Sequence, residues 1–137
     1  MVFSKRQIAF LLVSYMLVIF VLSHIPSGTN SEIDYARFKW FTEELGNLLH
    51  IPLFGGLAYL WIKYFQCLGY SEKAFKYSAL LLSLLYGISD EAHQYFIPGR
   101  FASFSDLLLN LIGILLVIKF YPVIDYFFRI QVKISEP

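Results

Sequence analysis

Four long apolar segments divide the chain and determine what it can fold into. They span residues 7–25, 48–68, 77–97 and 107–128. Each is close to the roughly twenty residues that a helix needs to cross the hydrocarbon core of a bilayer. Because that core offers no water to backbone N–H and C=O groups, such segments cross it as helices. The sequence therefore predicts an all-α integral membrane protein, a bundle of four transmembrane helices in one domain.

The composition agrees with a membrane protein and excludes some functions. The chain is 58% apolar with a mean hydropathy of +0.60, and only 15% of its residues are charged. Soluble domains average about 45–50% apolar and about 25% charged residues. A net charge of +1 provides no basic face for nucleic acid. The single Cys67 cannot form an internal disulfide, and we expect it to be a small buried apolar side chain.

The first segment has two interpretations. Lys5 and Arg6 precede its apolar run, as basic residues do in a signal peptide, but no A-x-A-like cleavage site follows. Pro26 comes directly after the run and is typical of a helix end. We therefore expect an uncleaved transmembrane helix.

The basic residues predict the orientation of the bundle. With the N-terminus in the cytoplasm, eight basic residues lie inside and three outside, which satisfies the positive-inside rule. Both termini are then cytoplasmic. Lys63 and Lys119 fall within the segments near their cytoplasmic ends, where we expect their side chains to snorkel to the surface. The inside set is Lys5, Arg6, Lys63, Lys73, Lys76, Lys119, Arg129 and Lys133, and the outside set is Arg37, Lys39 and Arg100.

Residues 90–93, Asp-Glu-Ala-His, have the spelling of a helicase nucleotide box. A helicase also needs a phosphate-binding loop, G-x-x-x-x-G-K-[ST], and none of the seven lysines in this chain follows a glycine. The chain is too short for two nucleotide-binding domains. The match is therefore accidental, and we predict no nucleotide site.

The same residues place two carboxylates inside a membrane helix. Asp90 lies seven residues before Ile97, roughly 10 Å below the outer end of the third segment at about 1.5 Å per residue. Glu91 lies at a similar depth. Ionisable groups at such a depth are costly and mark functional sites. Gln94 shares a helical face with both carboxylates, and Gly87 can admit a close neighbouring helix.

The fourth segment adds a polar stripe that starts at the same end. Asp106, Asn110 and Gly113 have the spacing i, i+4, i+7 and share a helical face. Ser103 or Ser105 can cap this helix, and Asp106 suits its first turn, so capping and chemistry both remain open for Asp106. We expect the deeper Asn110 to find a partner on the third segment.

His50 begins the second segment at this same outer end, and the turn after the third segment carries Arg100. His93 lies about 100° around the helix from Gln94, and His24 lies at a helix end, so both are weaker candidates. We expect the cytoplasmic half to hold only apolar residues, lysines and scattered hydroxyls. The chain then builds one polar, dead-end pocket that opens outward, since a channel or proton relay needs polar groups at both depths.

Residues 90–113 read D-E-x-x-Q-x-x-x-P-G-R-x-x-S-x-x-D-x-x-x-N-x-x-G. This pattern resembles the signature of the VanZ-like family of small bacterial membrane proteins. The stretch SHIPSG at residues 23–28 and the helix of His50 are similar to earlier motifs of that family, and the resemblance extends to about residue 118. One departure is Asn47, where the family often has a lysine three residues before the histidine.

The resemblance implies a role in the bacterial cell envelope and a location in the cytoplasmic membrane. The family takes its name from a protein linked to low-level resistance to the glycopeptide teicoplanin. The resemblance brings no established reaction, and neither a cofactor nor an oligomeric state follows from the sequence.

Three hypotheses remain open. In the first, the protein is an enzyme that acts on an amphipathic lipid or lipid-linked envelope substrate, with catalytic residues Glu91, His50 and Asp90 and substrate-binding residues Arg100, Gln94, Asn110, Asp106 and Ser103. In the second, the same residues bind such a molecule without chemistry. In the third, the chain is a structural membrane subunit. A metal held by Asp90, Glu91, His50 and Asp106 is conceivable, although no ligand-spacing motif supports it.

Overall fold

The structure is a computed structural model that describes residues 2–24, 47–97, 103–128 and 131–132. Its helices are α1 (Lys5–Ser23), α2 (His50–Cys67), α3 (Glu72–Gln94) and α4 (Phe104–Phe128). A two-residue parallel pairing joins β1 (Val2–Phe3) to β2 (Gln131–Val132), with Val2 opposite Gln131. The all-α prediction is confirmed, and the pairing places the two ends of the described chain side by side.

Local signals fix where several helices begin and end. Ser4 forms a capping box with Gln7: Ser4 Oγ accepts from the Gln7 N–H at 3.4 Å, and the Ser4 N–H donates to Gln7 Oε1 at 2.9 Å. Ser71 starts α3 in the same way, since its Oγ accepts from the Ala74 N–H at 3.4 Å. After α2, Gly69 adopts a φ of 76°, a left-handed conformation that glycine takes at little cost.

The first and third helices run parallel in a constant register. Tyr86 OH on α3 donates to the backbone oxygen of Met16 on α1 at 2.6 Å. Nearer the ends of the same two helices, Ser23 Oγ donates to Asp90 Oδ2 at 2.8 Å. The C-terminal ends of α1 and α3 therefore meet at one end of the bundle.

The second and fourth helices form the other parallel pair. His50 Nδ1 lies 2.9 Å from Asn110 Oδ1, and Lys63 Nζ donates to Asp125 Oδ2 at 2.6 Å. The Ser103 N–H, directly before α4, donates to Glu91 Oε2 near the end of α3, so the N-terminal ends of α2 and α4 lie beside the C-terminal ends of α1 and α3. We call this end, which carries His24, His50 and His93, the histidine end.

Glycines set the closest helix contacts. A Cβ at Gly113 would overlap the backbone oxygen of Ile51, so α4 presses directly on α2 there. At Gly87, a Cβ would lie 3.1 Å from Asn110 Nδ2 and 3.2 Å from the Phe54 ring. Small residues commonly permit such approaches between membrane helices. The prediction that Gly87 admits a close neighbour is confirmed.

The apolar core forms around α2, which contacts all three other helices. Residues of α1, α2 and α4 interlock within it, so α2 is held on several sides. Its buried members are Leu12, Ile19, Phe54, Leu57, Ala58 and Ile114. Because α2 is central, a polar side chain at its first residue is brought close to the ends of α3 and α4.

The outward faces of the helices are strongly apolar. Phe10 on α1 and Phe104 on α4 are 72% and 76% exposed, an arrangement that suits lipid better than water. Among the described residues, two helices are long and apolar enough to cross a membrane, Lys5–Ser23 and the α4 stretch Phe104–Phe127. The other two helices contain buried charged side chains, Lys63 on α2 and Asp90 and Glu91 on α3.

Candidate functional site

Three predicted site residues converge at the histidine end. His50 is the first residue of α2, Glu91 lies in the last turn of α3, and Asp106 lies in the first turn of α4. One ligand-capable atom from each lies within 4.8 Å of the other two. Their exposed fractions are 9%, 4% and 7%. We call these three residues the His50–Glu91–Asp106 cluster.

Asn110 orients the histidine of this cluster. Its Oδ1 lies 2.9 Å from His50 Nδ1, and its side chain is completely buried. An amide oxygen is an acceptor, so Nδ1 donates to it and Nε2 is left for another partner. The expectation that Asn110 would find its partner on the third segment was wrong. The contact of Gly113 with Ile51, about one turn further along, brings α4 against α2 and so selects His50.

Glu91 has one oxygen held and one left over. Its Oε2 accepts from the Ser103 N–H at 3.0 Å, whereas Oε1 is buried without a hydrogen-bond partner among the described residues. Ser103 Oγ in turn accepts from the Ser105 N–H at 3.2 Å, which confirms that Ser103 caps α4. The start of α4 thus holds one oxygen of the Glu91 carboxylate and leaves the other without a hydrogen-bond partner among the described residues.

Asp90 belongs to a neighbouring layer rather than to this cluster. Its Oδ2 accepts from Ser23 Oγ at 2.8 Å and from Gln94 Nε2 at 2.9 Å, so the side chain faces α1. Adjacent residues on a helix point about 100° apart, which separates Asp90 from Glu91. The conceivable four-ligand set therefore reduces to three residues, and Gln94 supports Asp90.

A comparison with models of protein families shows which family the chain belongs to. A family model described as VanZ/LLP1 matches residues 7–125, nearly the whole chain. The protein belongs to the VanZ/LLP1 family. The matched region contains the whole of the His50–Glu91–Asp106 cluster and the motif at residues 90–113. Comparisons with curated proteins and with solved structures gave no match.

Several predictions for this VanZ/LLP1 protein concern residues outside the described ranges. Arg100 lies within residues 98–102, so its substrate-binding role stays a prediction. Residues 25–46, which hold most of the SHIPSG motif and two of the outer basic residues, are likewise outside. Asn47 is described and exposed, which places the family departure at the surface of the histidine end.

The VanZ/LLP1 chain also pairs two histidines that sequence reasoning ranked low separately. His24 Nδ1 lies 3.2 Å from His93 Nε2, and their rings stack with centroids 5.4 Å apart. The ring of Phe20 packs against that of His93, with the ring centroids 4.7 Å apart. Their meeting follows from the parallel register of α1 and α3, which no motif in the sequence reveals. The pair is solvent-accessible, unlike the His50–Glu91–Asp106 cluster.

A second buried polar group lies in the opposite half of the bundle, and it corrects two expectations. Lys63 is 2% exposed and donates to Asp125 Oδ2 at 2.6 Å and to Gln66 Oε1 at 3.2 Å. Tyr59 OH donates to Asp125 Oδ1 at 2.6 Å. Lys63 therefore does not snorkel, and this half of the bundle holds more than apolar residues, lysines and hydroxyls. We call these residues the Lys63–Asp125 cluster. The sequence signal that could have predicted it is the presence of one acidic and one basic residue within apolar helices.

A cavity of about 600 Å³ lies between α1, α2 and α4. Its wall is apolar and includes Tyr15, Gly55 and Val117, and none of the predicted site residues lines it. Tyr15 reaches this wall by covering Gly56, where any Cβ would overlap its hydroxyl. The cavity is therefore distinct from the polar, outward-opening pocket that the sequence predicts.

Proposed function

We propose that this VanZ/LLP1 protein is a bacterial cytoplasmic-membrane protein whose histidine end binds the polar head group of an amphipathic envelope lipid or lipid-linked molecule. The observation that carries the proposal is Glu91 Oε1, a buried carboxylate oxygen with no hydrogen-bond partner among the described residues. Leaving such an atom unpaired in a dry interior is costly, so sites that retain one are commonly sites where a ligand completes the bonding.

The proposal includes four membrane spans with both termini in the cytoplasm. Large apolar side chains are exposed on α1, α3 and α4, among them Leu85 on α3 at 52%, and Leu48 just before α2 is 53% exposed. The helix α2 itself is central and contacts the other three. Lys63 no longer counts as a cytoplasmic basic residue because it is paired inside the bundle. Seven basic residues remain on the cytoplasmic side and three on the outer side. In this orientation the histidine end faces the outer leaflet, where envelope lipids and lipid-linked precursors present their head groups.

The charge of the cluster restricts the ligand. Glu91 and Asp106 supply two carboxylates, and His50 supplies an imidazole already engaged by Asn110. A ligand at this place must therefore offer a cation or hydrogen-bond donors, such as an amine or sugar hydroxyls. Arg100, on the turn directly before Ser103, is the residue we expect to hold a phosphate or carboxylate of the same molecule.

Catalysis is a second candidate because the cluster combines a carboxylate and an imidazole within 4.8 Å. Such a pair can serve as general acid and general base on a bound head group. Glu91→Gln separates the two functions, since glutamine keeps the shape and hydrogen bonding but cannot exchange a proton. If activity towards a lipid-linked substrate survives Glu91→Gln while Arg100→Ala abolishes it, the enzyme hypothesis fails and binding remains.

Binding itself is tested by measuring which lipids the full-length protein retains from bacterial membranes, using native mass spectrometry in mild detergent. We expect one retained lipid class, reduced at least tenfold by Glu91→Ala and by Arg100→Ala. Glu72→Ala is the matched control, because Glu72 lies at the opposite end of the same helix and is 61% exposed. Equal retention by all four proteins would contradict the proposal and favour a structural subunit.

An effect on glycopeptide susceptibility is a separate part of the proposal, because it concerns the cell rather than the site. If the bound molecule is a lipid-linked wall precursor, loss of the protein changes how much of it teicoplanin can reach. We expect deletion of the gene to shift the teicoplanin inhibitory concentration and Glu91→Ala to reproduce the shift. An unchanged inhibitory concentration in the deletion strain would remove this part alone.

A further inference from the structure

We infer that the His50–Glu91–Asp106 cluster is a binding site for one divalent transition-metal ion of the Zn²⁺ or Mn²⁺ type. Three helices that are distant in sequence each deliver one ligand-capable side chain to the same buried point. An imidazole with two carboxylates is a ligand set that suits these ions, since zinc accepts histidine and carboxylate ligands and manganese favours carboxylates.

The spacing of the three ligand atoms fits one shared ion. They lie within 4.8 Å of one another. Atoms bound to one tetrahedral zinc at about 2.0–2.2 Å lie about 3.5 Å apart. Side-chain movements of about 1 Å therefore suffice, and the first turn of α4 and the last turn of α3 can supply them.

In His50 and Glu91, one side-chain atom is already hydrogen-bonded within the protein, and the other is left for the metal. Asn110 Oδ1 engages His50 Nδ1, so Nε2 is the metal-binding nitrogen. The Ser103 N–H engages Glu91 Oε2, so the unpartnered Oε1 is the metal-binding oxygen. Metal-binding histidines usually donate their second N–H to a carbonyl or carboxylate, and metal-binding carboxylates are themselves hydrogen-bonded. Both supporting contacts are already present here.

Charge provides an independent argument for a cation. Two carboxylates of low exposure lie beside each other, and the one titratable basic group of this cluster within the described residues, His50, can supply at most one positive charge against two. Lys63, the buried lysine of α2, lies thirteen residues away in sequence and is engaged by Asp125. Buried charges of one sign require an opposite charge close by, and a divalent ion balances two carboxylates.

Three protein ligands leave coordination positions open, as zinc sites that bind water or substrate do. An oxygen atom of a head-group phosphate, carboxylate or hydroxyl can occupy such a position. This last step rests on the proposed function, whereas the metal site itself rests on the geometry of the cluster.

The test is metal binding by the full-length protein in detergent after removal of metals with a chelator. Zn²⁺ and Mn²⁺ are added separately, and bound metal per chain is measured by elemental mass spectrometry after gel filtration. We expect one ion per wild-type chain, with affinity at least tenfold lower in His50→Ala, Glu91→Gln and Asp106→Asn. Glu91→Gln preserves side-chain volume, so a lost ion with an unchanged elution profile reports ligand loss rather than misfolding.

The double variant His24→Ala/His93→Ala is the control, because these paired histidines are the competing place for a zinc ion at the same end. We expect it to bind metal as wild type does. Asn110→Ala is expected to weaken binding about tenfold without abolishing it, as removal of a supporting contact does. Binding lost in the double variant but kept in His50→Ala would overturn the inference, as would a wild-type chain that binds no ion.

The lipid retained by each sample is measured alongside its metal, so that the two proposals fail separately. A chain without metal that still retains its lipid through Glu91 and Arg100 overturns the metal site and supports the proposed function. A chain that binds metal through His50 and Glu91 but retains no specific lipid supports the metal site and overturns the proposed function.

Discussion

The two buried polar clusters of this protein contain similar groups but differ in how their charges are balanced. In the Lys63–Asp125 cluster the chain supplies both the cation and the anion, and each carboxylate oxygen of Asp125 accepts a hydrogen bond. In the His50–Glu91–Asp106 cluster the chain supplies two carboxylates, and Glu91 Oε1 has no partner among the described residues.

The difference separates a structural contact from a binding site. A buried ion pair whose atoms are all engaged fixes helix register and leaves nothing to offer a ligand. A buried carboxylate with an unengaged oxygen has a bond still to make. The two clusters therefore predict opposite responses to substitution.

The largest expected effect is at the Lys63–Asp125 cluster. Asp125→Leu removes the carboxylate that engages Lys63, whose side chain is 2% exposed, and removing one partner of a buried pair costs about 3–5 kcal/mol. We place this variant at the lower end of that range because Asp125 is 29% exposed. Thermal unfolding of the protein in detergent should show a large fall in melting temperature.

The double variant Lys63→Met/Asp125→Leu is the control for that prediction. Replacing both members of a buried pair by apolar residues is often neutral or stabilising, so most of the lost stability should return. A double variant as unstable as Asp125→Leu would show that the pair does more than balance its own charges.

Gly113→Ala should have the next largest effect and should act on the other cluster. Its Cβ would overlap the Ile51 backbone, and overpacking of this kind costs about 1–3 kcal/mol. Moving α4 away from α2 also parts His50 from Asn110, so ligand binding at the histidine end should weaken too. Gly87→Ala is the comparison, because the nearest atoms there belong to side chains, and it should be milder in both assays.

Glu91→Gln should change stability in the opposite direction to Asp125→Leu. In protein freed of metal and lipid, it replaces a buried carboxylate that has one oxygen without a hydrogen-bond partner among the described residues, and we expect a gain of about 1 kcal/mol, the scale of an unsatisfied buried group. Thermal unfolding of the stripped protein measures the gain. A loss of stability comparable with that of Asp125→Leu would mean that Glu91 already has its partner within the chain.

The smallest effect is expected at the histidine pair. His24→Ala removes an exposed contact with His93, and surface changes of this kind usually alter stability by less than about 0.5 kcal/mol. Unfolding curves of wild type and variant should nearly coincide. A large shift would indicate that the pair, rather than His50, organises the histidine end.

The length of the apolar segments was sufficient to predict the four helices, because it is a local property of the sequence. The structure places His50, Glu91 and Asp106, three of the predicted site residues, within 4.8 Å of one another, and their role as a site stays a prediction. Their proximity was predictable because helix ends alternate in a bundle of consecutive antiparallel helices, so the start of α2 and of α4 must lie near the end of α3.

Partner choice could not be predicted, because it depends on rotation and register between helices. The sequence indicated a partner for Asn110 on the third segment. The close contact between Gly113 and the Ile51 backbone instead brings Asn110 next to His50. Asp90 and Glu91 appeared as one unit, but they point to different helices. Lys63 was predicted to reach the membrane surface. Its partner, Asp125, lies in the last turns of α4, sixty-two residues away, and the sequence alone did not reveal the pairing.

The most direct test is an experimental density map of the protein purified from bacterial membranes, inspected at both clusters. The account predicts non-protein density within bonding distance of Glu91 Oε1 and none at Asp125, whose oxygens are engaged by Lys63 and Tyr59. A map in which Glu91 Oε1 bonds to a side chain of residues 25–46 or 98–102, with no non-protein density nearby, would contradict it.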